Sequence, residues 1–122
     1  MFIVDLKEYI ETLTGQQMSL LQFPVNDLAD PSVMIRPISS IDATGGVFNF
    51  NIEIAVKSHH PAKSCNLAGE MLLKLDKLTN KDVKGYQIIL INALTSVPNY
   101  MGQTESGEYV YTVEYNVLTT EI

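Results

Sequence analysis

Apolar and polar positions along this chain change period several times, and each change marks an element. Phe2, Leu6, Tyr9, Ile10 and Leu13 fall on one helical face, with Lys7, Glu8 and Glu11 off it. Gly15 follows as the C-terminal stop of that helix. Residues 18–25 form a short apolar stretch that reads as a strand ending near Pro24, and residues 26–31 carry loop chemistry. Residues 33–38 read as a second short strand, whose Pro37 belongs at an edge or an end.

Strict alternation follows. Residues 42–46 form a turn around Gly45-Gly46, a tight hairpin pair. Phe48, Phe50, Ile52, Ile54 and Val56 then take one face of a strand over 47–57, with Asn49, Asn51, Glu53 and Lys57 on the wet face. Pro61 suits the first turn of a helix. Ala62, Cys65, Ala68, Met71, Leu72, Leu75 and Leu78 make one stripe, so the pattern predicts a main helix over 61–79, with Glu70, Lys74 and Lys77 outside. Residues 86–94 are apolar on both faces and predict a central strand. Residues 109–119 alternate again, with Tyr109, Tyr111, Val113, Tyr115 and Val117 on one side. Between these two strands, residues 97–108 read as a polar loop with two glycines. The order α-β-β-β-α-β-β predicts an α+β fold, a mostly antiparallel five-stranded sheet with both helices packed on one face.

A length of 122 residues fits one domain over 1–122, and 46% apolar with 18% charged residues is enough apolar material for one core. The longest aliphatic run, 88–91, is far short of a membrane helix, and the acidic N-terminus lacks the pattern of a secretory signal. Cys65 has no second cysteine to pair with, which suits a reducing compartment. The net charge of −6 argues against sequence-specific DNA binding, which needs a cationic excess. The charge is unevenly spread: residues 57–84 hold six lysines against Glu70, Asp76 and Asp82, while 103–122 hold four acids and no base.

Catalytic chemistry finds no foothold. His59, His60 and Cys65 are the only soft ligands, too few for a zinc site, and read as exposed histidines before a helix and a thiol on its inner stripe. Gly-x-Ser-x-Gly and phosphate-loop patterns are missing, and Tyr109, Tyr111 and Tyr115 have no interleaved base for nucleic-acid stacking. No cofactor or metal is expected. An acidic α+β fold of this kind leaves open a small-molecule-binding protein with a pocket between helices and sheet.

Three stretches carry a resemblance to a known family: FIVDLKEYIETLTG at 2–15, ATGGVFNFNIEIAVKSHHPAKSCNLAGEMLLKL at 43–75, and VPNYMGQTESGEYVYTVEYNVLT at 97–119. Together they resemble the tail terminator (minor capsid) proteins of long-tailed bacteriophages, with Gly46, Pro98, Gly102 and Gly107 as the sharp points. The resemblance implies a non-enzymatic virion protein, assembled in the host bacterial cytoplasm and sited at the head-proximal end of the tail. It implies a ring, usually a hexamer, that caps the tail tube, stops its polymerisation and meets the head connector, with DNA passing through the lumen. A head-completion or neck adaptor ring is the alternative within the same particle.

A ring of identical copies needs two different contact patches on each. The lysines Lys74, Lys77 and Lys81 of one copy are expected to face Glu105, Glu108 and Glu114 of the next. Residues 99–108 are expected to project as a docking element for the tube, with Tyr100 and Met101 as its apolar anchors and Gly102 and Gly107 as its flexible points. The opposite possibility, that Tyr100 and Met101 tuck back onto the core, is equally open from the sequence.

Overall fold

The computed structural model describes residues 2–24, 29–39 and 41–121. The expected loop positions 26–28 and the end of the expected strand 18–25, at Val25, lie outside the described residues. Helix α1 spans Phe2–Thr14, β1 Ser19–Leu20, β2 Ser32–Pro37, β3 Asp42–Thr44 and β4 Val47–Ser58. Helix α2 spans Pro61–Leu75, followed by β5 Leu78–Val83, β6 Tyr86–Ala93, β7 Asn99–Gln103 and β8 Tyr109–Glu121.

The fold is α+β, but the sheet is not five-stranded. Eight strands form it among the described residues, in the order β1-β2-β4-β8-β6-β5, with β3 also on β4 and β7 also on β8. Only the two-residue β1 pairs in parallel, with β2; the other ladders are antiparallel. The extra strands come from splitting and from edges. β2 and β3 both lie along one side of β4, and β6 and β7 both lie along one side of β8, so each pair is one interrupted strand. At the first interruption the backbone stays tied, as Ile38 N–H donates to Asn51 O and Asn51 N–H to Ser39 Oγ. Both Gly45 and Gly46 have positive φ, 60° and 80°, as a two-residue hairpin between β3 and β4 requires.

β4 and β8 are the spine, paired along their length from Val47↔Thr120 to Ser58↔Tyr109. Their inner faces carry Phe50, Ile52, Ile54 and Val56 opposite Val117, Tyr115 and Val113, all buried. β6 adds Ile88 and Ile91, and it lies between β8 and β5, which fits its two apolar faces. Both helices cover this one face. Ile3, Leu6 and Ile10 of α1 and Leu67, Ala68, Met71, Leu72 and Leu75 of α2 join the same apolar cluster. Each of these side chains other than Ala68 contributes roughly 1.5–3 kcal/mol by leaving water. On the outer face Asn116 Nδ2 donates to Asn49 Oδ1 at 2.6 Å and to Asn51 Oδ1 at 2.9 Å, and Arg36 pairs with Glu53 at 2.9 Å.

Helix α1 ends where the sequence puts it: Gly15, at φ 74°, donates its N–H to Glu11 O. Leu13 departs from the expected inner face and is exposed. Helix α2 differs more. It stops at Leu75, because Asp76 turns extended and its carboxylate accepts Ala93 N–H at 2.8 Å, while Lys77 takes a positive φ of 61°. Leu78 therefore opens β5 instead of ending the helix. The helix is also rotated relative to the expected stripe. Ser64 and Leu67 are buried, Ala62 is exposed and Cys65 is half-buried.

Candidate assembly surface

β7 and the first four residues of β8, which pair with β4 on their other side, form an arm along the end of the spine. The register runs from Asn99↔Thr112 to Gln103↔Tyr109, so the expected loop 99–108 is a strand as far as Gln103 and a turn only beyond it. Polar composition concealed a strand whose backbone groups are satisfied by β8. A register shift falls between Tyr100 and Gly102, where Gly102 has φ 111°. The tip closes through Thr104 N–H to Glu108 O at 2.8 Å and Gly107 N–H to Thr104 O at 2.9 Å, with Gly107 at φ 88°. Tyr100 and Met101 do not tuck into the core: they are 55% and 61% exposed. Tyr100 leans on Tyr111, ring centroids 5.3 Å apart, and Tyr111 abuts Cys65 of α2; burial first, then Cys65, pushes the Tyr111 phenol up.

The six charged residues expected to pair between copies do not share one setting. Glu108 is committed inside the chain: it is buried, lies 3.5 Å from Lys57 Nζ and accepts Thr104 Oγ1–H at 3.2 Å. Glu105 is exposed at the tip, and Glu114 is half-buried on the outer face opposite Glu53. Lys74 alone lies on α2; Lys77 is in the turn and Lys81 on the edge strand β5, so they share no helix face. They do share one property. Among the described residues these three lysines have no ion pair, whereas Lys7, Arg36 and Lys57 each have at least one and Lys84 has two.

A clasp at the tip of the arm was missed by sequence reasoning. Asp30 accepts from Ser58 Oγ, from His59 N–H at 3.2 Å and from His59 Nδ1 at 3.1 Å. His59 Nε2 reaches Ser106 O at 3.2 Å, and Lys63 Nζ donates to Asp30 O at 2.9 Å. His59 thus ties the end of β4 to the tip turn. An aspartate near 30 and a histidine near 59 carry no shared spacing signal, so only the fold brings them together. The Ser58 hydroxyl, then the His59 donors and the Lys63 charge, hold the Asp30 carboxyl down at about 2, against 3.8 ordinarily. A depressed carboxyl stabilises the fold above the unfolded value and loses that contribution as pH falls. The stability of the native protein is therefore expected to fall between pH 4 and pH 2 more steeply than that of Asp30→Asn, in denaturant melts at fixed salt. Parallel acid limbs for the two proteins would count against the clasp.

Other chemistry is thin. The described residues contain no group of three or more potential metal ligands. No helix among them is long and apolar enough to cross a membrane. An open depression of about 470 Å³ lies between Gln16–Ser19 and Pro31–Val33, and no ionisable side chain of the described residues lines it.

A long double-stranded spine, one helix-covered face and a strand that holds Tyr100 and Met101 in water are the features that the described residues present. The family described as bacteriophage tail terminator protein matches residues 9–121, and the chain belongs to it. It is accordingly a structural protein of phage tails and a virion component. No curated protein matches at a significant level. Among solved structures, a chain from the virion of a native gene transfer agent particle superposes with a TM-score of 0.66 at 13% identity, over 91% of this chain and 84% of that one. At that identity the likeness is one of fold.

Proposed function

We propose that copies of this chain form a ring, a hexamer in the family pattern, that caps the tail tube at its head-proximal end and stops further polymerisation. The ring also offers a surface to the head connector. The observation that carries this reading is the β7–β8 arm, which holds Tyr100 and Met101 in water on a strand anchored to the spine. Two large apolar side chains exposed together on a rigid strand are suited to anchoring in a partner's pocket. Gly102 and Gly107 shape the arm through backbone angles that other residues rarely adopt. Between copies, Lys74, Lys77 and Lys81 face Glu105 and Glu114 of the neighbour, with Glu108 removed from the expected set by its bond to Lys57. Exposed pairs of this kind contribute about 0.2–1 kcal/mol each and fix register more than affinity. Acids unmatched by base on the remaining surface also let DNA pass without being held.

The docking reading has a direct test. Tyr100→Ala with Met101→Ala is expected to keep Tm within a few degrees and to abolish capping, leaving overlong tubes when mixed with purified tube protein. A double variant that folds and caps normally removes the arm from the docking surface.

A further inference from the structure

The His59 ring bridges two groups that can only accept a hydrogen bond. Nδ1 lies 3.1 Å from Asp30 Oδ2, and Nε2 lies 3.2 Å from Ser106 O. A backbone carbonyl has no proton to give, and neither has an ionised carboxylate. The Asp30 carboxyl, held down at about 2, stays ionised throughout the range in which imidazoles change charge. A neutral imidazole has one N–H and one lone pair. Whichever nitrogen carries the proton, the other then sets its lone pair against an oxygen. The imidazolium donates at both nitrogens and satisfies both acceptors, and its contact with Asp30 becomes an ion pair.

We infer that His59 is a pH-sensitive latch: with both nitrogens protonated it pins the turn 104–107 to the end of β4, and on losing a proton it releases that turn. The two bonds are not lost alike. Asp30 is also fixed by Ser58 Oγ, by the His59 backbone N–H and through Lys63 on its carbonyl, and its charge keeps the remaining ring proton on Nδ1. Ser106 O loses its donor, while the turn still closes on itself through Thr104 N–H to Glu108 O and Gly107 N–H to Thr104 O. Charged and titratable groups on the elements that meet here are Asp30, Lys57 of β4, His60, Lys63 of α2, Glu105 and Glu108 of the turn, and Tyr109 of β8. Glu108 is paired with Lys57, so the Asp30 carboxylate is the charge in contact with the ring among the described residues. The His60 side chain is exposed and makes no cap bond to α2. The latched form binds one proton more than the released form, so acid closes the latch and rising pH opens it. None of this depends on whether Tyr100 and Met101 dock to the tube.

Backbone nitrogen relaxation of the full chain, at about pH 5.5 and about pH 8, reads the order of Ser106 and Gly107 directly. In the native protein their order parameters are expected near ~0.85 at the lower pH and below ~0.6 at the higher. The midpoint of that change should coincide with the midpoint of the His59 ring signals in the same spectra. His60→Gln is expected to behave as native. His59→Gln replaces a side chain that is 55% exposed, and the turn is then expected to show low order at both pH values. Asp30→Asn removes the charge that favours the imidazolium, so the difference between the two pH values should shrink; it serves if His59→Gln fails to fold. A native turn equally ordered at both pH values overturns the latch. So does a change of native size that persists in His59→Gln, because the proton responsible then sits elsewhere.

Discussion

Tyr115→Ala is expected to lower the unfolding free energy by about 3–5 kcal/mol, and Tyr115→Phe to raise it by about 1 kcal/mol. Tyr115 is fully buried at the centre of β8, opposite Ile52 of β4 and Ala93 of β6. Truncation there opens a void beneath α2 that the sheet, paired on both sides, cannot collapse to fill. The hydroxyl tells the opposite way. It has no hydrogen-bond partner among the described residues, so the fold bears its desolvation unreturned. Burial, then the charge of Asp76, pushes the phenol far above its ordinary 10.0. A phenol kept neutral in the fold but ionised in the unfolded chain makes stability decline as pH rises past about 10. Removing the hydroxyl, as Tyr115→Phe does, should flatten that alkaline limb. Guanidinium melts from pH 7 to pH 11 measure both effects, and a Tyr115→Phe protein less stable than native at pH 7 would mean the hydroxyl is satisfied.

The second large effect is expected at the tip of the arm. Glu108→Ala should cost about 3 kcal/mol, because it removes the carboxylate partner of Lys57 where the two side chains are only 11% and 12% exposed. Lys57 keeps its position over the Phe23 ring, 4.6 Å from the centroid, which offsets part of the loss. The tip also loses the Thr104 hydroxyl bond that Glu108 accepts. Lys57→Met combined with Glu108→Leu should recover most of the stability, since both charges of the pair then leave the site together. Denaturant melts of the two single variants and the double variant give the coupling. A Glu108→Ala cost below 1 kcal/mol would show that water already screens the pair.

The pattern of residues announced the spine and missed the margins, for a physical reason. β4 and β8 alternate because one face meets the helices and the other meets water, and a period of two survives only under that asymmetry. β5, with the sequence LTNKDV, has four consecutive exposed positions. An edge strand with little to bury writes no period into its residues. β7 was hidden likewise, its fold-back visible only through pairing with β8. The end of α2 was misplaced because Leu78 continues the helical spacing of Met71 and Leu75 while serving β5 instead. Exposure was legible by type for Tyr100, Met101 and the three lysines, but Glu108 could not be sorted from Glu105 without knowing that Lys57 comes to meet it.

The spine also sets the order in which this chain reaches its fold. Residue 58 meets residue 109 and residue 47 meets residue 120, so each rung of β4 against β8 closes a loop of at least about fifty residues. Neither β2 with β4 nor β5 with β6 needs so long a closure, and both half-sheets are able to assemble as local hairpin-like units first. Inserting β8 between them is then the slow event, at a rate governed by chain entropy and not by the strength of any contact. Before it, the edges of β4 and β6 that β8 pairs with stand open, and that interval is when copies are most prone to pair wrongly.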